Sequence, residues 1–135
     1  MKELLLCLVF ILGSTLGYSQ YKDKLKNKAL MDSLIRKHNI LHPDKVLRQA
    51  MYESGWLQCR YCSMKYNNPF GFRHKDWITE ENSKGYIIFQ SLEEAVKYYA
   101  RWQKKYYHGG DYYAFIDNIG YAEKKGYTDY LKIMW

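Results

Sequence analysis

Pro43-Asp44-Lys45-Val46-Leu47-Arg48-Gln49-Ala50-Met51-Tyr52-Glu53-Ser54-Gly55-Trp56 is the stretch around which the rest of the chain can be organised. Proline is tolerated in the first turn of a helix and disrupts later ones, so Pro43 marks a helix start, and Gly55 a stop after about Ser54. At about 100° per residue, Val46, Leu47, Ala50, Met51 and Ser54 share one face, centred near Ala50 and Ser54. Glu53 falls about 90° from that centre, at the rim of the buried face, with Gln49 and Trp56 on its side. A carboxylate half-buried beside an indole loses hydration in its charged form, so its pKa rises and it can hold a proton near neutral pH. Protonating a glycosidic oxygen demands that property. An ordinary solvated glutamate is the competing reading of the same geometry.

Upstream, Lys22 to Asn39 carries Leu25, Ala29, Leu34 and Ile35 among many lysines, which predicts a surface helix with a narrow apolar stripe. Downstream, Asn67 to Ser91 is rich in Gly, Asn, Phe and Trp and leads into Tyr86-Ile87-Ile88-Phe89, a β-type run. That pattern predicts a small hairpin with Glu80 to Lys84 at or near its turn. Ser91-Leu92-Glu93-Glu94 forms a capping box, and Leu92, Ala95, Val96, Tyr99 and Tyr106 follow at helical spacing. Asp111 opens a further helix through Phe115, Ile116 and Ile119, closed by Gly120, and Thr128 starts a short last one with Leu131 and Met134. The fold class read from these elements is α+β and mainly helical, with a small β-hairpin lobe flanking a cleft.

A chain of 135 residues with 47% hydrophobic and 18% aromatic content supports one compact domain and excludes a disordered chain. Its 15 tyrosines exceed what a small core needs, which suggests a ring-lined groove or a wet interface. Leu4 to Leu12 is an apolar run of signal-peptide length, far short of the ~20 residues that span a bilayer. Gly17 and Ser19 supply the small residues of a cleavage site before Gln20, so the expected division is a signal peptide over 1–19 and a domain over 20–135. Removal takes Lys2 and Glu3 together and leaves the net charge at +7. A secreted or periplasmic basic protein meets anionic polymers outside the cytoplasm. The expected partner is therefore an anionic cell-wall glycan or a membrane surface, with no nucleic acid and no stable membrane span, although a merely solvated basic surface would look the same.

Cys59 and Cys62 stand in Cys-Arg-Tyr-Cys. In an oxidising compartment this spacing can close a small disulfide, and free thiols or a metal or redox pair are the alternatives. The four histidines do not supply further zinc ligands at metal-like spacing, so no metal is expected, and no cofactor. Gly-rich phosphate loops, His-Glu-x-x-His and Gly-x-Ser-x-Gly are absent, which leaves nucleotide, zinc-protease and serine-hydrolase readings without their motifs. Trp77, Tyr112 and Tyr113 are candidates for stacking on a sugar ring, whereas Tyr99 and Trp102 on the capped helix read as core.

Four motifs occur in an order and spacing that resembles one family: Gln49 to Trp56, then Asn67-Asn68-Pro69-Phe70-Gly71-Phe72-Arg73, then Tyr86 to Phe89 leading into Ser91 to Ala95, and finally Gly120-Tyr121-Ala122 with Tyr127 after it. Together they look like the glucosaminidase family, the mannosyl-glycoprotein endo-β-N-acetylglucosaminidase-like domains related to glycoside hydrolase family 73 and to flagellar peptidoglycan hydrolases. The resemblance implies a lysozyme-like fold and cleavage of β-1,4 bonds in peptidoglycan or a related N-acetylated glycan. It matches Glu53 to the family's catalytic acid. Asn67, Asn68, Phe70 and Gly71 match the segment flanking the groove and are expected to bind substrate, with Trp77 and Tyr127. Tyr121 matches the tyrosine of the Gly-Tyr-Ala motif and is expected to position water or steady the oxocarbenium-like state. Leu57 stands where many members have Gly, and Pro69 where they have Leu.

Family members often carry an acidic residue between a Trp and the returning strand, and in Trp77-Ile78-Thr79-Glu80-Glu81 the favoured second catalytic group is Glu80. As a water-activating base it would sit ~6.5 to 9.5 Å from the acid, the spacing of inverting enzymes. A lytic transglycosylase, which needs no such base, and a catalytically silent glycan-binding module of the envelope are the alternative functions.

Overall fold

The computed structural model describes residues 2–74 and 84–135, with side chains from residue 19 onward. Among the described residues five helices carry the architecture: α1 (Lys2–Lys37), α2 (Pro43–Glu53), α3 (Leu92–Tyr106), α4 (Tyr112–Asn118) and α5 (Tyr127–Lys132), with a 3-10 turn at Ser63–Tyr66. The helix expected from Lys22 thus begins much earlier, because nothing between Lys2 and Lys37 breaks it. Among the described residues, no helix is long and apolar enough to cross a membrane.

α2 packs on α1 and α5, and α3 meets the end of α1. The buried face of α2 is Val46, Leu47, Ala50 and Met51, as its periodicity predicts, joined by Met31 and Ile35 from α1, Val96 and Tyr99 from α3, Ile116 from α4 and Leu131 from α5. The stripe expected on α1 is corrected. Leu25 and Ala29 are exposed, because that turn directs Asn27 and Lys28 toward Trp56 and Trp135 instead, and among the residues described with side chains burial on α1 begins at Met31.

Polar links set the helix ends. Arg36 binds Asp32 at 2.9 Å and Asp44 at 2.8 Å, tying α1 to the first turn of α2. Lys37 and His38 both reach Glu93 at 2.8 Å and hold its carboxyl down to about 2, so the start of α3 is pinned to the end of α1. Ser91 caps α3 by accepting from the Glu94 N–H, and Asp111 caps α4 by accepting from the Ala114 N–H at 2.8 Å. After α2 the chain runs left-handed through Gly55, Trp56 and Leu57 (φ 54°, 62° and 62°). Ser54 steadies that turn, its hydroxyl donating to the Ala50 carbonyl and accepting from the Leu57 N–H at 3.0 Å. Cys59 and Cys62 are joined as a disulfide just before the 3-10 turn.

The β-hairpin lobe expected between Asn67 and Ser91 is not seen. Among the described residues this segment holds only one antiparallel bridge, Arg73 to Tyr86. Backbone hydrogen bonds flank that bridge, from the His74 N–H to the Gly85 carbonyl at 2.9 Å and from the Ile87 N–H to the Phe72 carbonyl at 3.0 Å, and side-chain amides extend the pairing. Asn68 is fully buried and donates to the carbonyls of Phe72 at 2.8 Å and Ile87 at 3.0 Å, while its oxygen accepts from the Phe72 N–H at 3.0 Å. Asn67 donates to the Phe89 carbonyl at 3.0 Å. With their backbone groups paired this way, residues 86–89 need no further strand.

Asn68→Leu keeps the volume and strips three hydrogen bonds. Since each buried polar group left unpaired costs about 1 to 3 kcal/mol, we expect a loss on the order of 3 kcal/mol in urea unfolding. A loss below about 1 kcal/mol would mean that the amide is not the strut described here.

Candidate active site

Glu53 is the last residue of α2, half-buried at the rim of the core face. The loop carrying Gly71 passes directly over it. Gly71 has φ +70°, and a Cβ built there would stand 3.2 Å from Glu53 Oε2, so the missing side chain leaves room for the carboxyl. Burial raises the Glu53 pKa above the ordinary carboxylate value, and a hydrogen-bonding interaction with the Tyr127 hydroxyl opposes that rise.

Behind Glu53 lies a buried chain of amides and phenols. The Gln103 amide NH₂ donates to the Leu41 carbonyl at 2.9 Å and to the Tyr112 hydroxyl at 3.1 Å. Tyr99 donates to Gln49 Oε1 at 2.5 Å and is also bonded to Tyr112. Because Gln103 presents only a donor here and Tyr99 spends its proton on Gln49, Tyr112 must donate to Tyr99. Every proton in the chain therefore points the same way, and the Gln49 Nε2 is left facing Tyr127. The Gln49 Nε2 and the Tyr127 hydroxyl have no closely aligned partner. Tyr127 nonetheless feels both Gln49 and Glu53 electrostatically. Desolvation holds Tyr99 and Tyr127 far up the pH scale and Tyr112 up to about 12, so all three remain neutral donors.

This direction of donation makes a testable statement. Removing the Tyr127 hydroxyl takes away a donor to the ionised carboxylate, so Tyr127→Phe should raise the Glu53 pKa further, read by carbon NMR titration of the Glu53 carboxyl. A downward shift would contradict the arrangement.

The Glu53 carboxyl opens into a cleft of about 540 Å³ walled by Gly71 to Arg73, Tyr86, Trp102 of α3, and the loop from Ile119 to Glu123. Tyr121 lines it, but its hydroxyl donates to the Phe70 carbonyl at 2.6 Å, and its ring lies near-parallel to that of Tyr127 with centroids 6.1 Å apart. A half-buried carboxyl, aromatic walls and a groove open at the side form a site suited to a sugar chain. Residues 28–135 match the family described as Glucosaminidase: Mannosyl-glycoprotein endo-beta-N-acetylglucosaminidase. The chain belongs to the glucosaminidase family.

Comparison with curated proteins and with solved structures finds no match. Family membership makes this a glycosidase-type domain whose substrates are glycans. The mainly helical architecture agrees with a lysozyme-like glucosaminidase.

The site of this glucosaminidase gathers some of the expected residues and gives others a different task. Glu53, Gly71 and Tyr121 line the cleft together. Asn67, Asn68 and Phe70 do not. The two amides bind backbone, and Phe70 is buried with its ring 4.5 Å from that of Tyr99. Tyr127, expected at the substrate, is buried beside Glu53. Trp77 and Glu80 lie outside the described residues. Tyr112 and Tyr113, read as stacking candidates, are core residues instead, because α4 turns both inward. Trp102 makes the opposite correction and stands in the cleft wall with Phe72, ring centroids 5.7 Å apart. Glu123, an exposed carboxylate on the cleft wall, went unread in the sequence, although it directly follows the Gly-Tyr-Ala motif.

Proposed function

We propose that the chain is an exported glycosidase that cuts β-1,4 bonds next to N-acetylglucosamine in peptidoglycan or a related N-acetylated glycan, with Glu53 as general acid. The observation that carries this reading is the Glu53 carboxyl, raised in pKa by burial yet open to an aromatic-walled cleft. A carboxyl of that kind keeps its proton at a pH where ordinary carboxylates have lost it, and can deliver it to a leaving oxygen. Tyr121, fixed by its bond to Phe70, lines the same space and would face the sugar undergoing substitution. Glu80 keeps its proposed part as the base that activates water. Export follows from the apolar run at Leu4 to Leu12 and the small residues before Gln20.

Digestion of purified cell wall followed by mass spectrometry of the products tests the reading. New reducing N-acetylglucosamine ends are the expected result. Anhydro-muramic ends would reassign the chain as a lytic transglycosylase. Intact glycan after prolonged incubation with folded protein would make it a silent glycan-binding module.

A further inference from the structure

The cleft does not end at Trp102. Phe72, Arg73, Trp102 and Ile119 also line a second chamber of about 660 Å³, so the two spaces are neighbours with these residues in common. On α3, positions Tyr98, Trp102 and Tyr106 recur every four residues and lie in one row, which turns a line of rings toward this chamber. Arg101 and Lys105, also four apart, flank that row. Both are exposed, and among the described residues no carboxylate comes within ion-pair distance of either. Rings lie close to both: Arg101 is 5.9 Å from the centroid of Tyr98, and Lys105 is 5.1 Å from that of Tyr106. Lys97, one turn before Arg101, differs in being paired with Glu94 at 2.9 Å.

Two cations with no acidic partner among the described residues, beside an aromatic row and inside a concavity, do more than solvate a surface. The rings offer a face for the apolar side of a pyranose, and the cations lie where a substituent on that sugar would project. The carboxylates of the first chamber, Glu53 and Glu123, stay on the other side of the shared wall. We propose that the second chamber is a subsite for an anionic group carried by the substrate glycan, held by Arg101 and Lys105 while the sugar bearing it lies on the Trp102 row. This rests on the proposed glycan-cleaving function of the first chamber and adds a charge requirement for the neighbouring sugar. Carboxylates on peptide-bearing wall sugars and phosphates of wall polymers share the chemistry that such a pair would recognise.

The test measures binding in the full chain carrying Glu53→Gln, so that its outcome does not depend on turnover. Three probes of similar length are compared by calorimetry: an uncharged N-acetylglucosamine oligomer, a peptidoglycan fragment with free carboxylates, and a glycan bearing glycerol phosphate. The expected result is about tenfold tighter binding of at least one anionic probe than of the uncharged one, with the better anionic probe identifying the source of the charge. Arg101→Gln combined with Lys105→Gln should abolish that preference. Lys26→Gln combined with Lys104→Gln, which removes the same charge from outside the chamber, should retain it. Equal affinity for charged and uncharged probes, or a preference that survives the first pair of changes or disappears with the second, overturns the proposal. Cleavage of cell wall by the unaltered chain is scored separately, and its failure would bear on the proposed function alone.

Discussion

Glu53→Gln is expected to reduce glycan cleavage by two to four orders of magnitude, about the contribution of a general acid, while leaving the fold intact. The amide keeps the shape of the side chain under Gly71 but has no proton to deliver to the glycosidic oxygen. The effect on stability has a definite sign. Burial raises the folded-state pKa of Glu53 above its unfolded value, so the folded protein disfavours the ionised form and loses stability as pH rises through that raised pKa. Gln cannot ionise, and the thermal midpoint near neutral pH should therefore stay level or rise slightly. Cleavage within tenfold of the unaltered chain would remove Glu53 from the acid's role. A midpoint that falls by many degrees would show that the carboxylate holds the fold in a way the structure does not indicate.

Much of the helical frame was legible because its signals are local. Pro43 at a first turn, Ser91 with Glu94, and Asp111 before α4 each act within one turn of helix, and each is found where the spacing predicts. The position of Glu53 was legible for a related reason. A 90° offset on an amphipathic helix places a residue at the edge of the core wherever that helix packs.

What stayed hidden depends on partners far along the chain. An asparagine read in a groove motif looks ready to bind a sugar amide, yet Asn68 spends its hydrogen bonds on Phe72 and Ile87, the latter brought in from beyond the bridge. The run Tyr86 to Phe89 has β propensity, but among the described residues it pairs with Arg73 at a single bridge, and amides take the carbonyls of Ile87 and Phe89. Trp102 and Tyr112 are both aromatic and both on helices. Only the packing of α3 against α4 and the loops decides that one faces the cleft and the other joins the Tyr99 network. Leu57, where many family members have Gly, has φ +62° here, so the residue the family uses is the one this backbone favours.

The second large effect is expected at Gly71, where two penalties separate cleanly. Gly71→Ala places a Cβ on a backbone at φ +70°, which costs an L-residue about 1 to 2 kcal/mol, and also sets that carbon 3.2 Å from Glu53 Oε2. The carboxyl must then move by a few tenths of an ångström or rotate from its place in the cleft. Because misplacing a reacting group by about 1 Å can cost a factor near 10², turnover should fall roughly tenfold to a hundredfold, with the loss in kcat rather than KM. Gly110→Ala isolates the backbone penalty, since φ there is +90° and nothing lies within 4 Å of the added carbon. It should lower the unfolding midpoint by a similar amount while leaving kcat unchanged. If Gly71→Ala keeps full kcat below its own midpoint, the close approach to Glu53 does not position the acid. If Gly110→Ala loses turnover equally, the effect at Gly71 is one of stability and not of the site.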